Sequence, residues 1–79
     1  MSAATTEAME LLAREICQVG SCRAGRLAAV RVGAPARWVP GVLGRQLADE
    51  LHRLGLAGVE VVVDPVEGPL RILALEFTR

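Results

Sequence analysis

Residues 26–32, RLAAVRV, constrain this chain more than any other stretch. They alternate as a strand does, and they run through Gly33-Ala34-Pro35-Ala36-Arg37 into a segment of helical periodicity at residues 40–54. A strand that feeds a helix so directly must bury one face against it. A second amphipathic segment precedes the strand and two very apolar segments follow the helix, so each of these has to pack on the same strand-turn-helix unit.

Taken in order, the first segment places Met9, Leu12, Ile16 and Val19 on one helical stripe, with Glu10, Arg14 and Gln18 off it. The spacing predicts a helix over residues 6–19, with Thr6 as N-cap, Glu7 and Glu10 near the positive end of the dipole, and Gly20 as its terminator. In the strand, Ala28, Val30 and Val32 point one way, toward the helices, while Leu27, Ala29 and Arg31 point the other. Pro40 suits the first position of the second helix, because a missing N–H costs nothing there. Leu43, Leu47, Leu51 and Leu54 then form an apolar stripe edged by Val42, and Gly55 closes it. Gly41 and Gly44, each worth about 1 kcal/mol against Ala in a helix, suggest close approach to another backbone, with sequence drift the alternative. Residues 59–63 (VEVVV) and 70–77 (LRILALEF) read as strands separated by Asp64-Pro65-Val66-Glu67-Gly68-Pro69, most economically as a hairpin. The expected fold is therefore α+β in two layers. Two helices pack on one face of a three-stranded mixed sheet, in the order α-β-α-β-β, with residues 1–79 forming a single domain.

A chain of 79 residues buries only about 60% of the surface its unfolded form exposes, and 52% of its residues are hydrophobic. More apolar surface is present than one thin core can hide, so an interface is expected. Nine basic residues, all Arg, balance nine acidic ones without any run of one sign. Nucleic acid and anionic membranes demand a basic footprint, and the chain lacks one. The first residues, MSAATTEAMELL, carry Glu7 and Glu10 and no basic n-region, so a secretory signal is not expected; neither is a membrane span. The expected location is cytoplasmic, with both cysteines reduced.

No catalytic constellation is evident. Cys17, Cys22 and His52 are the soft metal ligands, but the spacing Cys17-x4-Cys22 lacks the tight pairs of a structural zinc site. Asp49 and Glu50 are adjacent on a helix and point in different directions, and no glycine-rich phosphate loop occurs. The residues point to no enzyme, no cofactor and no metal site. What they do offer is an apolar last strand. Both of its parity sets are hydrophobic, so either the strand is central with both faces covered, or one face docks on a partner. The docking residues expected from alternation are Val62, Leu73, Leu75 and Phe77.

The segment AREICQVGSCRAGRLAAVRVGAPARWVPGVLGRQL, together with the element order, resembles the N-terminal domain of the HypA/HybF family of hydrogenase nickel chaperones. The likeness lies in a helix carrying a segment like LLARE, a strand similar to R-x-x-x-V-R-V-x-x-G, here Arg26-Leu27-Ala28-Ala29-Val30-Arg31-Val32-Gly33, and a V-x-P-like entry, here Val39-Pro40. The departures are specific. The family's N-terminal Met-His-Glu nickel motif is replaced by Met1-Ser2-Ala3, and its zinc module between the last strands is absent, with Asp64 to Pro69 joining the strands directly. The resemblance implies a docking platform without either metal site, acting in assembly or maturation of a [NiFe]-hydrogenase or as a small subunit associated with it. Its partner would be a hydrogenase subunit, a maturation factor or a second copy of the chain. The alternatives are a nickel metallochaperone with a different ligand set, an RNA-binding α/β module, and a degenerate subunit with only a structural role.

Overall fold

The computed structural model describes residues 3–21, 26–56 and 58–78. Helix α1 (Ala3–Ser21) leads to strand β1 (Arg26–Pro35), helix α2 (Pro40–Arg53) and strands β2 (Glu60–Val66) and β3 (Arg71–Thr78). The two helices lie on one side of a three-stranded mixed sheet of order β2-β1-β3, with β1 parallel to β2 and antiparallel to β3. This is the expected α+β arrangement. The hairpin is not: β2 and β3 flank β1 and do not pair with each other. Four residues, Glu67 to Leu70, carry the chain past the end of β1. At about 3.4 Å each they span the roughly 9.6 Å between the two outer strands. The last strand is therefore an edge, which removes the possibility that it is central.

β1 takes the centre, and at Gly33 its missing side chain leaves room for Val66 of one neighbour and Leu73 of the other. Leu27, Val30, Val32 and Ala34 join the core, and Ala29 and Gly33 are buried on the other face. The register between β1 and β3 shifts twice, stepping past Ala28 on β1 and past Leu73 on β3. Each bulge reverses the alternation beyond it. Leu27, expected on the far face, thus joins Val30 and Val32 under the helices, and Ala28 is displaced from that set.

α1 buries Met9, Leu12, Ala13 and Ile16, the spacing of one helical face. It begins before Thr6, so Thr6 is no N-cap; its hydroxyl oxygen accepts a 3.1 Å hydrogen bond from Gln46 Nε2 of α2. Nor does Gly20 stop the helix, which continues to Ser21, and Gly20 is not among the glycines with positive φ. Gly20, four residues after Ile16, continues the buried face, whereas Val19 stands at its flank, 37% exposed.

α2 buries Leu43, Leu47 and Leu51 and starts with Pro40 at its first turn. Its end is specified by Gly55 at φ 89°. The Gly55 N–H donates to the His52 carbonyl (3.0 Å) and the Leu56 N–H to the Leu51 carbonyl (2.8 Å), the paired bonds of a Schellman cap. Leu54 caps the helix and turns outward, so Leu56 continues the packing that the stripe assigned to Leu54. Neither helix glycine marks a close backbone approach: a Cβ on Gly44 would make an ordinary 3.7 Å contact with the side-chain Cγ2 of Val63, and one on Gly41 would meet nothing within 4 Å.

Both β1 and β2 run three residues beyond their expected ends, since Gly33, Ala34 and Pro35 pair with Asp64, Pro65 and Val66. Pro65 is tolerated because β2 is an edge strand. Gly33 is held by sterics. A Cβ on it would sit 3.0 and 3.1 Å from the Val66 methyls and 3.2 Å from Leu73 Cδ2. Gly33→Ala is expected to cost about 1–3 kcal/mol as a lowered urea midpoint, and Gly41→Ala to be neutral or stabilising by up to about 1 kcal/mol.

Candidate interaction face

Residues opposite one another on neighbouring strands share a face, so the register assigns every side chain of the sheet to a side. Val30 pairs with Val61 and Leu75, Val32 with Val63 and Ile72, and Leu27 with Phe77, all on the helix side. Arg31 pairs with Val62 and Ala74, Gly33 with Asp64 and Arg71, and Ala29 with Glu60 and Glu76, all on the side that, among the described residues, no helix covers.

The four residues expected to form one docking surface are therefore divided. Val62 lies on the uncovered face, and Leu73 stands at the bulge beside Gly33, 40% exposed. Leu75 and Phe77 are partly buried and pack against the core from the other side. The Leu73 bulge parts Leu73 from Leu75 and Phe77, and Val62 faces away from Leu75 because Val62 and Ala74 both sit opposite Arg31.

At the centre of the uncovered face, Arg31 Nε lies 3.4 Å from Asp64 Oδ2, with both side chains substantially exposed. Such a pair contributes about 0.2–1 kcal/mol and serves orientation more than stability. Around it the face is mixed. Glu60, Arg71 and Glu76 mark its edges, while Val62, Val66, Leu73 and Ala74 give it apolar area. Val66 is the residue that sequence reasoning missed. Its signal was present in the alternation Val62, Asp64, Val66, but Pro65 between them reads as a strand end.

Among the described residues no three His, Cys, Asp or Glu side chains come together as a set able to hold a metal. Cys17 is half-buried on α1, where Arg14, Cys17, Gln18 and Leu54 line a shallow hollow, and His52 is exposed on α2. Cys22 lies outside the described residues. The described donors thus do not fit the nickel or zinc of the resembled family. Glu50 takes a 3.0 Å ion pair from Arg53 Nη1 one turn on, and Asp49 is exposed. Trp38 packs on the core, with the Arg37 guanidinium 5.9 Å from its ring centroid. No helix among the described residues is long and apolar enough to cross a membrane.

No protein-family model, no curated protein and no solved structure matches the chain.

Proposed function

We propose that this protein is a non-catalytic, HypA-like accessory module that acts by docking on another protein. The partner is a [NiFe]-hydrogenase subunit or maturation factor, and the setting is cytoplasmic. One observation supports the docking: helices cover a single side of the sheet, and the other side presents Val62, Val66 and Leu73 around the Arg31–Asp64 pair. An open, mixed face with apolar side chains around a central ion pair suits a protein surface better than a small molecule. The identity of the partner rests on the sequence resemblance alone.

Affinity capture from the native host, with Val62→Asp as the comparison, tests both parts. Recovery of a hydrogenase subunit or maturation factor by the parent chain, lost with Val62→Asp, is the expected result. Recovery that Val62→Asp leaves intact removes the face, and failure to recover any hydrogenase-related protein removes the partner. Equilibrium dialysis against nickel separates the metallochaperone alternative, since stoichiometric sub-micromolar uptake abolished by His52 substitution would replace docking as the primary function.

A further inference from the structure

β3 is an uncovered edge. Among the described residues β1 occupies one of its sides, the other side carries no strand, α1 touches it only slightly and α2 lies over β2. Ile72, Leu75 and Phe77 remain partly exposed as a consequence. The other edge, β2, is protected by Pro65, which removes one N–H from the ladder. β3 carries no proline from Arg71 to Thr78 and presents a full set of backbone groups.

The bulge at Leu73 changes what such an edge can accept. In a regular strand, a twofold-related copy can pair only about a residue that faces itself, because the face alternates at every step. Here Ile72 and Leu75, three apart in sequence, pair with Val32 and Val30, two apart on β1, and so share both a face and a ladder phase. Arg71 and Glu76 are likewise equivalent on the uncovered face, opposite Gly33 and Ala29. The strand can therefore pair antiparallel with itself about a point between Leu73 and Ala74. In that register Ile72 faces Leu75 of the second copy on the helix side. Arg71 faces Glu76 on the open side, and both contacts occur twice by symmetry.

Charge and face both favour this register over its neighbours. Pairing about Glu76 would set two carboxylates opposite each other. Pairing about Ala74 would put Ile72, on the helix side, opposite Glu76, on the open side. We propose that a second copy of this chain docks on β3, joining two sheets into one of six strands with reciprocal Arg71–Glu76 pairs across the seam. This is independent of the hydrogenase reading. It requires the β3 edge and not the face carrying Val62.

The test is the solution mass of the full chain with charge-reversed variants. The wild type should sediment at twice 8.4 kDa at high micromolar concentration. Arg71→Glu and Glu76→Arg should each weaken the dimer about tenfold, since two attractive cross-strand pairs become repulsive. The double variant, which restores opposite charges in reversed order, should recover the dimer. Arg71 Nη1 also donates to the Glu67 and Pro69 carbonyls at 3.1 and 3.3 Å, so Arg71→Glu alone could act through the loop. Glu76→Arg touches no such contact and separates the two causes. Val62→Asp should leave the dimer intact. A monomeric wild type, a dimer insensitive to Glu76→Arg, or a double variant that stays monomeric would each overturn the proposal.

Discussion

Leu51→Ala is expected to lower the unfolding free energy by about 3 kcal/mol, within the range of about 2–5 kcal/mol for emptying a buried leucine site. Leu51 is 0% exposed, and it lies where α2 closes. Its carbonyl accepts the Leu56 N–H of the helix cap, and the Leu56 side chain packs on the same core. Alanine keeps the helix propensity, so the loss reports packing and not helix formation. A domain of this length has about 4–12 kcal/mol in total, and the loss would be read as a large fall in the urea midpoint with little change in slope. A change below about 1 kcal/mol would mean that the cavity collapses or that the helix layer is not the core.

Phe77→Asp and Val62→Asp should part company, although alternation places both residues in one surface. Phe77 packs against the core opposite Leu27, so its replacement removes about 2 kcal/mol of burial and sets a carboxylate at the rim of the apolar layer. Val62 stands on the uncovered face opposite Arg31, and Val62→Asp adds an acid beside a guanidinium. The second change should cost less than about 1 kcal/mol. Thermal melts of the two variants decide the matter. Equal loss in both would show that the uncovered face is buried in the folded protein, and no loss in Phe77→Asp would return that residue to the surface.

That contrast shows where the chain could be read and where it could not. Local periodicity determined that α1 carries Met9, Leu12 and Ile16 inward, that α2 carries Leu43, Leu47 and Leu51, and that three strands accompany two helices. Those assignments depend only on neighbours three, four or two residues away, which a sequence displays directly. Gly55 was legible for the same reason, because a left-handed residue after an amphipathic stripe has one economical use. Strand order was decided by the tertiary structure. Whether β3 pairs with β2 or β1 is decided between segments far apart in the chain, which meet at Gly33, where Val66 of β2 and Leu73 of β3 fill the space a side chain would take. The bulges at Ala28 and Leu73 belong to the same class. They arise from fitting two strands together, leave no mark in either strand alone, and exchange the faces of the residues beyond them. For that reason Leu27 went to the core and Leu73 parted from Leu75 and Phe77, whereas Val62 went to the open face through the unbroken register that sets it, like Ala74, opposite Arg31.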